Sequence, residues 1–586
     1  MRGILDARRL GRVDGDSPDE MRKKGTVFVR CRLKKWADKR LALALLLIVA
    51  GLWMGFPNGP NRSRPAAFPP LAWGSDGPSF RVIEEAFNVI RKNHYSDPRD
   101  RKLILAALDG IRAKVSADEG KDGLSETKET EGVRWRIGSK EVALLVRDNV
   151  DGDLRPLSRA FHFVRAAFYP KEKEARELAY AAIRGMMRGL DPHSALMPPE
   201  AFHELQVETR GEFGGIGIEI TIRDDKLTVV SPIDGTPAYR LGVKAGDHIV
   251  RIEDFNTKGI TLRGAVRRMR GQKGTPVTIH VQRENIEKPL VFTIIRDIIR
   301  VQSVKSKVLP GKIGYVRLRS FVESSSRDLL KALRKLKREK IRGLVLDLRN
   351  NPGGLLRQAV QVADMFLRKG SLIVYTRGKR LEHSLRFVDR RAGPFGRVPM
   401  IILINSGSAS ASEIVTGALQ DLRRALVMGT RTFGKGSVQT IIPLSDGSGL
   451  RITTALYYTP KGREIHAKGI PPDAVVRQPG DTRKGDVVLE KELLRRHRKR
   501  NKAGRGAVAK PKKPETAPKP QAVPPKPIRL GSEEDYQLKV ARRILDESPD
   551  RRVAQLVIRA RRVLALLAQK PAGGGVNNLK KQGARP

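Results

Sequence analysis

Apolar residues recur along this chain with two periods and in unbroken runs, and each pattern predicts a different element. A helical period marks 324–339, where Leu329, Leu330, Leu333 and Leu336 share one face. The segment Gly-Leu-Val-Leu-Asp-Leu at 343–348 is almost continuously apolar, as in strands buried on both faces of a parallel sheet. It ends in the turn Arg349-Asn-Asn-Pro-Gly-Gly354, which opens into a helix over 355–366. A second apolar strand, 399–404, runs through a turn of small residues into a helix carrying Ile414, Val415, Ala418 and Leu419 at helical spacing. With a strand at 313–318, this βαβ rhythm predicts an α/β core over 300–480.

Upstream the period falls to two. Gly-Gly-Ile-Gly-Ile-Glu-Ile at 214–220 follows a glycine turn, and further strands fit 226–230, 248–253, 277–282 and 290–295, with a helix at 261–269. These make a β-rich domain over 211–297. Residues 79–205 read as helical, with 117–130 as a polar loop. Within them Ala86-Phe-Asn-Val-Ile-Arg-Lys-Asn-His-Tyr95 is like Ala160-Phe-His-Phe-Val-Arg-Ala-Ala-Phe-Tyr169, and each leads into a second segment ending in a glycine, Gly110 or Gly185. Segments 86–111 and 160–186 read as a repeated helical hairpin, or as two hairpins alike by chance. A helical pattern returns over 531–570, with Leu538, Val540, Ile544, Val553, Leu556 and Val557, expected to pack on the N-terminal helices or to pair two copies of the chain. The fold class is therefore multidomain α+β.

The run 41–57 differs from all of these. It is apolar throughout, follows Lys34, Lys35, Lys39 and Arg40, and is short for a membrane span but adequate for a signal segment. No Ala-x-Ala cleavage signal follows closely, so it reads as an uncleaved signal anchor, with cleavage as the alternative. The charge asymmetry puts residues 1–40 in the cytoplasm, with the remainder exported. A Pro/Gly/Asn-rich linker follows at 58–78. The net charge of the 586 residues is +51, concentrated before the run and in the tail. That suits an anionic membrane surface. Nucleic acid is the rival partner, but no basic motif interleaved with aromatics supports it. Residues 483–530, rich in Lys, Arg, Pro and Ala, read as a disordered linker. The single cysteine, Cys31, precludes an intrachain disulfide.

The candidate chemistry lies in the turn Asn405-Ser-Gly-Ser-Ala-Ser-Ala-Ser412, where a strand meets a helix N-terminus. A serine exposed at such a corner sits beside a dipole that stabilises negative charge. Ser410-Ala-Ser-Glu413 also fits an ordinary capping box. Downstream, Thr432-Phe-Gly-Lys-Gly-Ser-Val-Gln439 sets a lysine between glycines before an apolar strand. Desolvation there would favour the neutral amine, which can take a serine proton as general base. A solvated turn lysine is the plainer alternative. No His/Cys cluster has metal-ligand spacing such as H-E-x-x-H, and no cofactor or metal is expected.

Ser410-Ala-Ser-Glu-Ile and Phe433-Gly-Lys-Gly, with the lysine 25 positions after the serine, resemble the carboxyl-terminal processing peptidases, serine endopeptidases with a Ser-Lys dyad. Leu190-Asp-Pro-His-Ser194, the Asn-Pro-Gly-Gly turn, Ala455-Leu-Tyr-Tyr-Thr-Pro460 and Gly469-Ile-Pro-Pro-Asp473 continue the resemblance, which runs from about 160 to 476. It implies that Ser410 is the nucleophile, Lys435 the base and Gln439 the residue positioning the lysine. Four residues along a regular strand span ~13 Å, so a Lys435–Gln439 contact needs a bend, which Gly436 would supply. The N–H groups of Gly354 and Ala411 would form the oxyanion hole, and Asp421 matches a supporting acidic position near the site. His193 is expected to be structural, since the family dyad contains no histidine. The domain at 211–297 resembles a PDZ domain. By that likeness Gly215, Ile216, Gly217 and Ile218 form a carboxylate-binding loop, and Ile218, Leu262 and Val266 line an apolar pocket. The implied activity is cleavage of exported proteins near apolar C-terminal tails, with an activating adaptor among the expected partners. The alternative is a non-catalytic or latent peptide-binding scaffold.

Overall fold

The computed structural model describes residues 77–118, 121, 123–147, 152–390, 393–479, 489–503, 530–548 and 552–568. The predicted basic N-terminus, the anchor, nearly all of linker 58–78 and much of linker 483–530 lie outside them. Among the described residues no helix is long and apolar enough to cross a membrane.

The protease-like core is built on a six-stranded sheet. Its order runs from Val304–Leu309, an antiparallel edge, through Ile313–Leu318, Gly343–Asp347, Met400–Ile404 and Leu426–Gly429 to Ala474–Val475, all five parallel. Alternate residues of these strands face opposite sides. Val316, Leu344, Leu346, Ile402, Ile404 and Val427 meet helices Ser325–Arg338, Leu356–Asp364 and Ala411–Asp421. Tyr315, Val345, Ile401, Leu403, Leu426 and Met428 face the other way and meet Leu538, Ala541, Ile544, Leu556, Ala560 and Val563. Those last residues belong to Tyr536–Asp546 and Val553–Ala568, so the predicted C-terminal helix is a pair of helices. This corrects one expectation for them: these apolar residues pack on this sheet, not on the N-terminal helices.

One charged cluster pins that layer. Arg349, wholly buried, forms bonds to Asp347 Oδ1 and Oδ2 (2.8 and 2.6 Å), to Asp535 Oδ1 and Oδ2 (2.8 and 2.6 Å), and to Gln537 Oε1 (2.8 Å). Two carboxylates around one guanidinium satisfy the fork that burial would otherwise leave unpaired.

The N-terminal region holds two helical hairpins, Pro78–Asn93 with Asp100–Ala117 and Arg155–Phe168 with Glu172–Arg188. The glycines at equivalent places in the two hairpins meet where the helices cross. A Cβ on Gly110 would strike the Ala181 carbonyl, and one on Gly185 the Ala106 carbonyl, with the other glycine's Cα 3.1 Å away in each case. The predicted loop at 117–130 is corrected in part: Leu124–Glu129 is the first strand of a three-stranded antiparallel sheet with Gly132–Ile137 and Lys140–Leu145. Its polar sequence reflects an edge strand with one side in solvent. The segment expected to be disordered also contains a helix, Glu490–Ala503. Its first turn carries Glu490 and Glu492, which suit a helix N-terminus, and Leu493 lines a groove shared with Ala113, Ala181 and Leu196. Composition hid it, because ten charged or histidine side chains surround so few apolar ones.

Asp535→Ala removes one of the two carboxylates around Arg349 and leaves a buried charge under-compensated. We expect a loss of about 3–5 kcal/mol in denaturant unfolding, and a chain ending at Val476 to fail to fold, because one sheet face is stripped. Equal stability of Asp535→Ala and wild type would show that the cluster contributes nothing.

Candidate active site

Three loops converge at the C-terminal ends of the parallel strands. Strand Gly343–Asp347 delivers Asn350 to Gly354, Met400–Ile404 delivers Asn405 to Ser410, and Leu426–Gly429 leads to Thr432–Gly436. Hydrogen bonds lock them together. Ala409 N–H donates to the Asn351 carbonyl (3.0 Å), Ser412 Oγ to the same carbonyl (2.9 Å), and Ser408 Oγ to the Leu348 carbonyl (2.8 Å). Phe433 N–H donates to the Ser408 carbonyl (3.0 Å).

Ser410 precedes helix Ala411–Asp421 with φ 55° and ψ −114°. A left-handed serine costs roughly 1–3 kcal/mol and persists only where surroundings impose it. Glu413 supplies much of that imposition. Its fully buried carboxylate accepts from Ser410 N–H (2.8 Å), Lys435 N–H (2.9 Å), Gly434 N–H (2.7 Å) and Thr432 Oγ1 (2.6 Å). Burial pushes its carboxyl up to about 7, against the pull of those donors. The capping-box reading of Ser410-Ala-Ser-Glu413 thus has its counterpart in the Glu413 bond to Ser410 N–H, but the same carboxylate also grips the lysine loop. Sequence reasoning missed that second grip, for a local motif says nothing about a partner 22 residues away.

The Asn-Pro-Gly-Gly turn reaches the serine through Gly353 (φ +103°), where a Cβ would lie 2.8 Å from Ser410 Cβ and 3.0 Å from Ala411 N. Gly353 N–H is engaged by Asn351 Oδ1 (2.9 Å). The N–H groups of Gly354 and Ala411, the predicted oxyanion donors, have no hydrogen-bond partner among the described residues. Gly354 (φ +140°) is seated against Phe321, whose carbonyl accepts from Leu355 N–H (2.8 Å).

Lys435 lies between these loops and strand Gly449–Tyr458. Its amine is lowered from the usual lysine range by burial first and then by the nearby Arg451 charge, while Glu490, Asp191 and Glu413 oppose this. Its Nζ makes no hydrogen bond or ion pair among the described residues, and none joins it to Ser410 Oγ. Tyr457, buried between the two, donates its hydroxyl to the Lys435 carbonyl and also interacts with the Ser410 side chain. Burial raises the Tyr457 hydroxyl well above 10, so it stays a donor.

Gln439 makes no hydrogen bond to Lys435 among the described residues: a bulge between Val438 and Gln439 turns its Nε2 to Thr453 Oγ1 (2.9 Å), and its buried Oε1 has no partner among them. One expectation needs correction. Asp421 is not near Ser410 but at the other end of the helix, ~15 Å along its axis, where it accepts from Lys461 N–H (2.9 Å) and pairs with Arg463 (2.5 Å). His193 is tied to structure: its N–H donates to Asp191 Oδ1 (2.8 Å) and its Nε2 meets the Glu490 carboxylate (2.8 Å).

The β-rich domain orders its strands Leu290–Ile295, Pro276–Gln282, His248–Ile252, Lys226–Pro232 and Ile218–Arg223, leaving the last as an edge. Helix Leu262–Met269 lies beside that edge. Ile218 packs on the domain core, Val266 is half-buried and Leu262 is 42% exposed. Ile216 is a core residue, and its carbonyl and that of Gly217 are engaged by Ala238 and Ile233 N–H (3.0 and 2.9 Å). Gly215 pairs with Asp297 in a two-stranded ribbon that leads to the protease core. An edge strand beside a helix is the geometry that accepts an extended peptide.

Comparison with known proteins fits this anatomy. The family model for peptidase family S41 matches residues 312–476, and that for the PDZ domain matches 214–294. A carboxy-terminal-processing protease of Bartonella bacilliformis is 51% identical over 328 residues, 55% of this chain and 75% of the relative. A carboxyl-terminal-processing protease of Synechocystis sp. is 38% identical over 323 residues, 54% of this chain and 75% of the relative. Among solved structures, a photosystem II D1 C-terminal processing protease aligns at TM-score 0.38 and 25% identity, covering 69% of this chain and 95% of that one.

Lys435 also makes a stability prediction. Its folded value lies below its unfolded one, so the folded chain binds fewer protons between the two. The penalty is fully present below the folded value and fades as pH rises toward 10.5. Lys435→Met should therefore raise the melting temperature at neutral pH, on the order of a few degrees, by an amount that shrinks toward alkaline pH. A variant less stable than wild type at pH 7 would contradict this.

Proposed function

The chain belongs to the carboxyl-terminal-processing proteases, serine-type peptidases of family S41 with a PDZ domain, and from that premise we propose that Ser410 is its nucleophile and Lys435 its general base. The neutral Lys435 amine takes the proton as Ser410 Oγ attacks the scissile carbonyl. The developing oxyanion is received by Gly354 and Ala411 N–H, the tetrahedral intermediate collapses to an acyl-enzyme, and Lys435 returns the proton to the leaving amine. Water then releases the acyl group by the same steps. The substrates are exported proteins with apolar C-terminal tails. Each tail adds as a strand along Ile218–Arg223, with its last side chain against Ile218, Leu262 and Val266. The run 41–57 anchors the enzyme, with these domains outside the cytoplasm. The observation that carries the reading is the pair of N–H groups with no partner among the described residues, beside a serine held at positive φ.

The test is cleavage of an unfolded protein such as casein by the full chain. Ser410→Ala and Lys435→Ala should each lose activity by roughly a thousandfold or more, with unchanged circular dichroism. Because the base must be neutral, kcat/KM of wild type should rise with pH along a limb centred below the ordinary lysine value of 10.5. A Lys435→Ala variant that cleaves at the wild-type rate sinks the dyad.

Glu490 favours a second reading, in which this arrangement is latent. It lies beyond the S41 match, its N–H donates to the Phe433 carbonyl (3.2 Å), and its carboxylate is wholly buried against His193. Its charge favours the protonated form of Lys435. Helix Glu490–Ala503 would then hold the base charged until displaced. Deletion of 489–503 should raise the casein rate of wild type, not that of Ser410→Ala; an equal or lower rate would rule this reading out.

A further inference from the structure

Gln439 and the Leu190-Asp-Pro-His-Ser194 motif come from different domains, yet one hydrogen-bond chain joins them. Gln439 pairs across the sheet with Thr453. Gln439 Nε2 donates to Thr453 Oγ1 (2.9 Å), and Thr453 Oγ1 donates to Asp191 Oδ1 (3.1 Å). Asp191 also accepts from Ser194 Oγ (2.6 Å), from the N–H groups of His193 and Ser194 (2.8 and 3.0 Å), and pairs with His94 Nε2 (3.0 Å). Thr453 N–H in turn donates to Ser194 Oγ (3.2 Å).

The direction of this chain is fixed at one end. Burial alone would raise the Asp191 carboxyl, but the His94, Ser194 and His193 bonds outweigh it and hold the group far below the usual carboxylate range. An ionised carboxylate only accepts. Thr453 has one hydroxyl hydrogen, and Asp191 claims it, so toward Gln439 the hydroxyl offers only a lone pair. The amide must then face Thr453 with its nitrogen; the reverse would set two acceptors together with no hydrogen between them. Amide nitrogen and oxygen sit on opposite arms, so Oε1 is turned away from Thr453. It is buried and has no partner among the described residues, which is rare for a native polar atom. Lys435 Nζ likewise makes no hydrogen bond among the described residues, and Asp191 is close enough to act on its charge.

We propose that Asp191, acting through Thr453, is a positioning residue that fixes the Gln439 amide so that Oε1 is offered to the Lys435 amine during the reaction. This rests on the dyad reading above. Accepting a hydrogen bond from the amine orients its lone pair and favours its ammonium form after proton transfer. A reversed amide would offer N–H to the same amine and disfavour that form. The other charges facing Lys435, namely Arg451, Glu490 and Glu413, are untouched by changes at Thr453.

The experiment is the pH profile of casein cleavage by the full chain and three variants. Thr453→Val keeps the shape of the side chain but cannot relay. Its plateau should fall at least about tenfold, and its acid limb should move to lower pH. Thr453→Ser restores the hydroxyl and should return both to wild type. A lower plateau with an unmoved limb, or no change in either, overturns the proposal, since mere loss of folded enzyme scales the rate without moving the limb. If Thr453→Val does not fold, Gln439→Leu must give the same displacement. Lys435→Ala is run alongside: if it stays active the dyad itself is wrong, whereas an inactive Lys435→Ala with an unmoved Thr453→Val limb removes the relay alone.

Discussion

The Glu413 carboxylate is the constraint on which the geometry of the candidate site depends. A buried carboxylate is unfavourable unless its acceptor sites are filled. Here the donors come from both sides of the site, Ser410 N–H on one and Thr432, Gly434 and Lys435 on the other. The bonds are charge-assisted, and each loop loses its best acceptor if it moves alone. The left-handed serine and the lysine loop are therefore set by one group. Tyr457 adds a second tie, from the Lys435 carbonyl toward the serine side chain.

A sheet covered on both faces gives these loops a rigid base. Leu344 and Leu346 point to one helix layer and Val345 to the other, so strand Gly343–Asp347 has no exposed side chain. Arg349 follows directly and binds Asp535 from the tail. The turn that ends in Asn-Pro-Gly-Gly begins at the next residue. A segment more than 180 residues away in sequence thus braces the turn that presents Gly354.

What was legible in the sequence follows from this. The near-continuous apolar strands announced burial on both sides, and the serine and lysine motifs announced the loops, because each is a local pattern. What covers the second face was not legible: Leu538, Ile544 and Leu556 make an amphipathic stripe that would fit many surfaces. Charge masked the helix Glu490–Ala503 for the same kind of reason, since its contacts are few and distant. Gln439 shows the limit of local spacing. Four residues along a regular strand span ~13 Å, which left its contacts open, and the bulge and the cross-strand Thr453 decide where its nitrogen goes.

These facts divide the labour between the family segment and its flanks. The atoms proposed to react, Ser410 Oγ, Lys435 Nζ and the two N–H groups without a partner among the described residues, all lie within 312–476. Two of the acidic groups that act on Lys435 do not: Asp191 stands before the PDZ domain and Glu490 after the S41 match. Burial and Arg451 lower the amine, and the carboxylates raise it, with burial prevailing. The two flanking carboxylates therefore oppose the depression of this lysine. Because Asp191 is fixed by five bonds while Glu490 rides on a helix with few apolar contacts, the first is a permanent setting of the site and the second is the one whose displacement costs least.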